Sequence, residues 1–391
     1  MVAMKRFPGR SSLALACAAL TVAAAVSACS SSSSGGSSGS SSGTNSDSSS
    51  STSACATKAK AEVAKYEAPV SFTASKLPKS VASLNPSSTT IAYVGDTSAE
   101  VLDDAYKGMA AAAEKLGFKV KLYNTGGGIP QTDQAISEAI NAHASVIVPS
   151  AVPLALITSG IQHATQAHVP IMSLYETPEN GPLPDVKYTV QLSGTVTGTE
   201  AAWFALAKTN CKLKMGEIYS PDEGQSVNAD KAMKATFAQW CPKTCSIVSA
   251  SETNPQGGTS YTTTLTSSLV EAHPDINYIY SEDAGDTTFI LQGLRSLGKI
   301  NKVGVDTIGG VPFEDQAIKD STSGLSAEVA SPGFVYEGWL AMDGVLRTLS
   351  GGTGTEAIPQ RLVENSSSAS SNPYASLTNY PKLFLSTWQS S

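Results

Sequence analysis

The feature that most constrains the fold of this chain is the segment 272–309, which has the order strand, polar loop, helix, strand. Residues 277–280 are a short run of strand formers, and apolar residues recur at helical spacing over 290–297. Residues 302–305 form a second predicted strand. Two strands joined through one helix run parallel in one sheet with a right-handed crossover. The segment therefore predicts a parallel α/β sheet.

Acidic residues follow both of these predicted strands. Glu282 and Asp283 come after the first strand, and Asp306 comes at the end of the second. The carboxyl ends of parallel strands meet at one edge of a sheet, and small molecules bind at that edge in open α/β sheets. We therefore predict that these three residues bind a ligand. An Asp after a strand is also a common helix cap, and the sequence leaves both interpretations open.

The same alternation extends along most of the chain and occurs in two successive sets. A chain of 391 residues exceeds one typical core, so two domains are expected. The pattern predicts an α/β protein of two lobes, each a doubly wound parallel sheet, with a ligand cleft between their carboxyl edges. The predicted strands are 91–95, 120–123, 145–148, 170–174, 188–192, 215–219, 246–251, 277–280, 302–305 and 325–330.

Charge and motifs narrow the function. A net charge of -7 with scattered lysines argues against a nucleic acid partner, which would require basic patches. No predicted strand leads into a GxSxG nucleophile motif or a dinucleotide fingerprint, and the chain has no HExxH motif and no P-loop. The four histidines fall in or beside predicted helices. We therefore expect a binding protein that is not an enzyme and uses no cofactor and no metal.

The amino-terminal region has the pattern of an exported lipoprotein. Three basic residues precede an apolar run over 13–26, which is typical of a signal peptide and short for a membrane span. The run ends in Val-Ser-Ala-Cys, which resembles the lipobox of bacterial lipoproteins and predicts lipidation of Cys29. We therefore predict a signal peptide over 1–28 and a lipidated Ser/Gly-rich tether over 29–54. The expected location is the outer face of the bacterial cell membrane.

Four further cysteines lie in the part of the chain that would be exported, namely Cys55, Cys211, Cys241 and Cys245. Disulfide pairing is the default in an oxidising compartment, and four cysteines allow three pairings. We predict that Cys211 pairs with Cys241 or Cys245, because the helix predicted over 229–240 returns the chain to the sheet edge where Cys211 lies. A metal site at Cys241 and Cys245 is the alternative, but no second cysteine pair lies nearby.

Over about residues 89–365 the chain resembles the type I periplasmic binding proteins, the ribose-binding-like solute receptors of sugar ABC transporters. The resemblance covers the order and spacing of the strands and helices. It implies two lobes that close on a ligand. The segments that carry it are IAYVGDTSAEVLDDAYKGMAAAAEKLG, ISEAINAHASVIVPSA, VPIMSLYE, LVEAHPDINYIYSEDAGDTTFILQGLRSLG and VGVDTIGG.

The resemblance also implies a set of ligand-binding residues. In this family, polar side chains at strand ends hold the sugar hydroxyls, and aromatic rings sandwich the apolar faces of the sugar. Here Val101 and Leu102 stand where ribose-type receptors have aromatics, and Tyr175 and Glu176 stand where they have an Asp-Arg pair. The positions that correspond to the family's ligand contacts are Asp96, Thr97, Ser98, Glu100, Tyr175, Glu176, Asn228, Glu282, Asp283 and Ser331, with Lys231 as the alternative to Asn228.

The resemblance implies a lipid-anchored receptor that captures a small polar ligand and delivers it to the membrane permease of an ABC importer. A sugar or a polyol is the expected ligand, and a monomer is the expected state. One alternative is a sensory receptor that signals to another protein. A second alternative is a cationic solute, because the predicted site contains an excess of carboxylates: Asp96, Glu100, Glu176, Glu282 and Asp283, with Asp306 as a further candidate.

The domain boundaries follow from the same pattern. Residues 55–88 are expected to form an extension on the surface of the protein. The first lobe is expected to contain 89–191 and about 332–360. The second lobe is expected to contain 192–331 and about 361–391.

Overall fold

The computed structural model describes residues 46–70, 75–176, 183–252, 260–309, 312–320, 322–364 and 377–389. The predicted signal peptide, Cys29 and the first part of the predicted tether lie outside the described residues. No helix among the described residues is both long enough and apolar enough to cross a membrane.

Twelve strands among the described residues form two six-stranded sheets. The strands are β1 (Thr90–Gly95), β2 (Lys119–Asn124), β3 (Val146–Pro149), β4 (Ile171–Leu174), β5 (Val186–Gln191), β6 (Lys214–Tyr219), β7 (Ser246–Ser251), β8 (Tyr278–Ser281), β9 (Gly304–Gly309), β10 (Ala327–Ala330), β11 (Gly354–Ala357) and β12 (Arg361–Val363). The first sheet has the order β11-β5-β4-β3-β1-β2, and the second has the order β12-β10-β9-β8-β6-β7. Every pairing is parallel except that of β10 with β12.

The helices alternate with these strands along the chain. They are α1 (Ser46–Tyr66), α2 (Glu100–Leu116), α3 (Ile129–Asn141), α4 (Thr158–Gln166), α5 (Gly194–Thr209), α6 (Gly224–Trp240), α7 (Ser260–Ala272), α8 (Thr287–Ser296), α9 (Pro312–Lys319), α10 (Phe334–Leu349) and α11 (Tyr380–Gln389). The predicted fold class, two α/β lobes built on parallel sheets, is confirmed.

One close helix pair in each lobe positions a helix that reaches the cleft. In the first lobe α2 packs on α10, and a Cβ atom added to Gly108 would lie 2.2 Å from the Val335 carbonyl oxygen. In the second lobe α5 packs on α6, and a Cβ atom added to Gly194 would lie 2.1 Å from the Gln225 carbonyl oxygen. These distances leave no room for a Cβ atom, so only glycine fits at either position. The backbone of Gln225, in the first turn of α6, is therefore held in place by contact with α5.

The C-terminal helix α11 packs on the first lobe, whereas residues 361–391 were expected in the second. Strand β12 does join the second sheet, but the Trp388 ring stacks on Trp339 of α10 with a centroid distance of 5.9 Å. The Trp388 indole also donates a hydrogen bond of 2.6 Å to Asp343 of the same helix. Phe384 and Trp388 are both buried. The aromatic side chains of α11 pack on α10, and α11 therefore belongs to the first lobe.

The predicted disulfide between Cys211 and Cys241 or Cys245 is wrong. Cys211 bonds to Cys55 of α1, and Cys241 bonds to Cys245. The expected proximity does exist, because Cys245 lies 3.7 Å from the Cys211 carbonyl oxygen. However, the chain turns tightly after α6, with a hydrogen bond of 2.9 Å from the Cys245 N–H to the Cys241 carbonyl. This turn brings Cys241 and Cys245 to a Cα separation of 5.4 Å and leaves Cys211 for the amino-terminal helix.

Helix α1 begins at Ser46, inside the segment that was expected to be a tether. Cys55, Ala59 and Val63 are buried where α1 packs on α5. Once this packed part forms, adding residues at its amino-terminal end costs less free energy than starting a new helix. The serine-rich composition therefore does not prevent the helix from extending back to Ser46.

Candidate ligand site between the two lobes

A cavity of about 650 Å³ lies between the two lobes. This volume is within the range of roughly 300–1,000 Å³ that is typical of small-molecule sites. Its wall is built by the loops that follow β1, β4 and β8, by the end of β9, and by the first turns of α2, α6 and α10. The cavity thus lies at the carboxyl edges of both sheets, where parallel α/β folds place their ligands.

Most of the predicted ligand-binding residues lie on this wall, but four do not. The residues that line the cavity are Asp96, Ser98, Tyr175, Glu176, Glu282, Asp283 and Ser331. The residues that do not line it are Thr97, Glu100, Asn228 and Asp306.

Local structure explains the position of three of these four. The Thr97 hydroxyl accepts a hydrogen bond of 3.0 Å from the Asn124 amide. Glu100 is exposed at the first residue of α2, where a carboxylate interacts favourably with the helix dipole. Asn228 lies one turn beyond the start of α6, so Glu223 and Gln225 reach the cavity in its place.

Asp306 is fully buried inside the second lobe. Strand β9 continues to Gly309, so Asp306 lies within the strand and Ile308 and Gly309 reach the cavity instead. Neither carboxyl oxygen of Asp306 has a well-aligned hydrogen bond to a described residue. Burial, with a smaller effect from Glu314, raises the pKa of Asp306 to about 8. Asp306 is therefore a protonated interior residue at neutral pH.

The first-lobe wall contains an aromatic pair that the sequence interpretation missed in part. The Tyr175 backbone has a φ of 75°, a conformation that is costly for a bulky residue and recurs at functional sites. Its hydroxyl donates a hydrogen bond of 2.5 Å to Glu337, and its ring meets Phe334 edge to face at 6.4 Å. Burial raises the pKa of Glu337. These rings supply aromatic surface in a cavity where Val101 and Leu102 replace the aromatic residues of ribose-type receptors.

The second-lobe wall is centred on Glu282, which is 8% exposed. Its Oε2 accepts a hydrogen bond of 2.8 Å from the Tyr280 hydroxyl, while its Oε1 has no well-aligned partner among the described residues. Burial raises the pKa of Glu282 well above its ordinary value, against the opposing effects of the Tyr280 hydroxyl and the Gln225 amide. Glu282 therefore holds one carboxyl oxygen that is buried without a well-aligned donor among the described residues.

Asp283 combines the two interpretations that the sequence left open. Its Oδ1 accepts a hydrogen bond of 2.6 Å from the Gly285 N–H, which closes the turn after β8. The same side chain also lines the cavity. Burial, reinforced by the neighbouring Asp286, raises the pKa of Asp283. A capping contact and a ligand contact can therefore be made by different oxygens of one carboxyl group.

The charge of the wall is one-sided. Six carboxyl groups line the cavity, and the lining residues include no Lys, Arg or His. The polar and aromatic side chains of that wall that the sequence interpretation did not identify are Glu223, Gln225, Thr288, Phe334 and Glu337. Within the described ranges, no group of three or more His, Cys, Asp or Glu side chains could hold a metal ion.

Comparisons with known proteins identify the family. Residues 91–352 match the family described as periplasmic binding protein domain. No curated protein sequence matches the chain significantly.

Solved structures match with low sequence identity and high coverage. An ABC sugar transporter subunit from Rhodobacter sphaeroides 2.4.1 has a TM-score of 0.63 at 17% identity, covering 71% of this chain and 98% of its own. A solute-binding protein from Agrobacterium vitis with bound allitol has a TM-score of 0.64 at 16% identity, covering 72% and 97%. A solute-binding protein from Bacillus halodurans C-125 with bound myo-inositol has a TM-score of 0.63 at 13% identity, covering 74% and 99%. At these identities the structures show the shared fold, and the match to the family covers more than half of the sequence. The chain therefore belongs to the periplasmic binding protein domain family.

Proposed function

We propose that this protein is an exported, lipid-anchored receptor that captures a sugar or a polyol between its lobes and delivers it to an ABC-type importer. The observation that carries the proposal is that polar side chains of both lobes face one cavity. A ligand that touches both lobes binds the closed form more tightly than the open form, and it therefore stabilises closure. No catalytic step is needed for this function.

The chemistry of the wall supports a hydroxylated ligand. The hydroxyls of Ser98, Thr288 and Ser331 can donate and accept hydrogen bonds, and the carboxyl groups accept them from ligand hydroxyls. The rings of Tyr175 and Phe334 offer apolar faces to the C–H groups of such a ligand. Solved structures that are similar to this chain contain allitol and myo-inositol.

A thermal-shift screen of sugars and polyols tests the proposal. A ligand that binds only the native protein adds RT ln(1 + [L]/Kd) to the free energy of unfolding, or about 4 kcal/mol at a thousandfold excess over Kd. We expect at least one sugar, polyol or derivative to raise the melting temperature. A complete absence of stabilisation across such a panel at millimolar concentration would contradict the proposal.

Substitution of Asp283 tests its proposed contact with the ligand. Asp283→Ala should weaken binding by about 10- to 100-fold, because a hydrogen bond to a charged group contributes roughly 1.5–3 kcal/mol. Asp222→Ala is the control, since Asp222 is exposed on the same lobe and does not line the cavity. Calorimetric titration beside a melting curve measures both effects. A stability loss of about 1 kcal/mol with unchanged affinity would show that Asp283 acts only as a cap.

The proposed anchor rests on the sequence around Cys29, which lies outside the described residues. Cys29→Ala should prevent lipidation and move the protein from the membrane fraction to the soluble fraction. Detergent phase partitioning of the two forms measures this. Equal partitioning of the variant and the unmodified sequence would contradict the anchor.

A further inference from the structure

We infer that the ligand carries a positive charge and is a hydroxylated organic cation of monosaccharide size, such as an amino sugar or an amino polyol. The inference rests on the proposed function and narrows the ligand class of the same cavity. Its basis is the combination of six carboxyl groups on the cavity wall, no basic side chain among the lining residues, and one buried carboxyl oxygen without a well-aligned hydrogen bond to a described residue.

The carboxyl groups belong to both lobes. Asp96, Glu176 and Glu337 come from the first lobe, and Glu223, Glu282 and Asp283 come from the second. Burial and the neighbouring Glu176 raise the pKa of Glu223, so acids of the two lobes affect each other across the cavity. A neutral ligand leaves the ionised forms of these acids uncompensated, so the carboxyl groups keep their protons. A cation between them stabilises the ionised forms and is bound more tightly for that reason.

A second observation supports a cationic ligand and does not depend on how many acids line the cavity. It concerns Glu282. It is 8% exposed, it lines the cavity, and its Oε1 has no well-aligned hydrogen bond to a described residue. A buried carboxyl oxygen without a well-aligned donor is costly, so a ligand donor that reaches this oxygen as the lobes close is favoured. A protonated primary amine presents three donors and no acceptor. Its hydrogen bond to a carboxylate is charge-assisted and stronger than one from a neutral hydroxyl.

The wall offers many more acceptors than donors. Its nitrogen donor among the lining side chains is the Gln225 amide, and its hydroxyls belong to Ser98, Thr288, Ser331 and Tyr175. The Tyr175 hydroxyl is already donated to Glu337. The undescribed internal segments cannot supply a basic side chain, because their sequences contain no Lys, Arg or His. A ligand rich in donors therefore complements this wall better than one with balanced donors and acceptors.

The cavity favours an organic cation over a metal ion. Its volume of about 650 Å³ greatly exceeds the space a single ion needs. No group of three or more metal-ligating side chains was found in the described part of the chain. The Tyr175 and Phe334 rings also provide apolar surface, which suits the carbon skeleton of an organic ligand and can attract its charged group.

Matched pairs of neutral and amino ligands test the inference. We would titrate the full exported chain calorimetrically at neutral pH with D-glucose and D-glucosamine, D-galactose and D-galactosamine, and sorbitol and 1-amino-1-deoxysorbitol. In at least one pair the amino compound should bind at least tenfold more tightly than its neutral partner. Raising the ionic strength should weaken the amino compound more than the neutral one.

The variant Glu282→Gln tests whether the preference for the amino compound arises at Glu282. The amide keeps an acceptor for the Tyr280 hydroxyl, so the fold should be retained, while the carboxyl group that can ionise beside a bound cation is lost. The variant should lose about tenfold or more in affinity for the amino compound and little for the neutral one. Glu200→Gln is the control, because Glu200 is a buried glutamate of the same lobe that does not line the cavity. It should leave the preference for the amine unchanged.

The outcomes separate the inference from the proposed function. If a neutral compound binds as well as or better than its amino partner in every pair that binds, the inference is wrong and the receptor function stands. If Glu282→Gln and Glu200→Gln reduce the preference equally, the charge is not recognised at the cavity wall and the inference also fails. If no member of any pair binds, the inference fails, and the proposed function fails as well only if the thermal-shift panel also shows no stabilisation.

Discussion

The two lobes share one fold but have different interiors. In the first lobe, aromatic side chains of α10 and α11 pack together, with Trp388 stacked on Trp339. In the second lobe, buried carboxyl groups lie among the core residues, including Glu200 and Asp306, and both disulfides contact the same lobe. Both lobes are thus stabilised by apolar packing, and the second lobe holds both cross-links in addition.

Two buried acids, Asp343 in the first lobe and Glu200 in the second, have different neighbours. In the first lobe Asp343 accepts hydrogen bonds of 2.5 Å from Arg347 and 2.6 Å from Trp388. In the second lobe Glu200 has no basic neighbour that perturbs it, and burial with Asp306 nearby raises the pKa of Glu200 to about 8. Asp343 is thus compensated by a basic partner, whereas Glu200 is not, and burial also raises the pKa of Glu337 in the first lobe. We therefore expect the second lobe to be more sensitive to reduction, and we expect substitutions of paired and unpaired buried acids to respond differently to pH.

The largest expected effect tests the aromatic packing of the first lobe. Trp388→Ala should destabilise the protein by about 3–5 kcal/mol, since it leaves a cavity beside Trp339 and removes the donor to Asp343. Trp388→Phe, the matched control, keeps an aromatic ring and should cost less. Urea unfolding with and without reductant measures both variants. A loss for Trp388→Ala that appears only in reductant would contradict the contrast between the lobes.

The next effect tests the cross-link of the second lobe. Replacing Cys55 and Cys211 with Ala should cost about 2–4 kcal/mol, because the bond closes a sequence separation of 156 residues. Replacing Cys241 and Cys245 is the matched control, and its separation of 4 residues predicts a smaller loss of about 2 kcal/mol. Thermal unfolding of the two double variants gives the comparison. Equal losses would argue against chain entropy as the source of the difference.

The alternation of strands and helices was readable from the sequence because buried parallel strands and amphipathic helices have distinct periods. The position of the cleft followed from the topology, since parallel strands place their carboxyl ends together. Tyr175, Glu282 and Asp283 could be identified because they come directly after strands. The positions of these residues depend only on where each strand ends along the chain.

Other features depend on contacts that local order does not encode. The partner of Cys211 lies 156 residues away on α1, whose serine-rich start suggested a tether. Glu223 and Glu337 reach the cavity from the starts of α6 and α10, and their positions depend on how those helices pack. Asp306 was misplaced because its strand extends further than expected. Three-dimensional packing decides each of these cases.

The smallest expected effect tests whether the proton bound by Asp306 makes the stability of the second lobe depend on pH. The pKa of Asp306 is about 8 in the folded protein and close to 3.8 in an unfolded chain. The folded state thus binds a proton that the unfolded state releases between these values, so the contribution of Asp306 to stability is full below about pH 4 and is lost as the pH rises to about 8. Asp306→Asn removes this loss because the amide does not ionise.

We therefore expect the stability of Asp306→Asn, relative to the unmodified protein, to rise by about 1–2 kcal/mol between pH 5 and pH 8.5. The effect should be smaller than the full linkage, because Glu200 also loses a like-charged neighbour and readjusts its own proton binding. Asp343→Asn in the first lobe is the control. Asp343 is paired with Arg347, so its substitution should destabilise the protein at both pH values. Urea unfolding at the two pH values measures the difference. A gain for Asp306→Asn that is equal at pH 5 and pH 8.5 would mean that proton binding by Asp306 does not set the pH response of the second lobe.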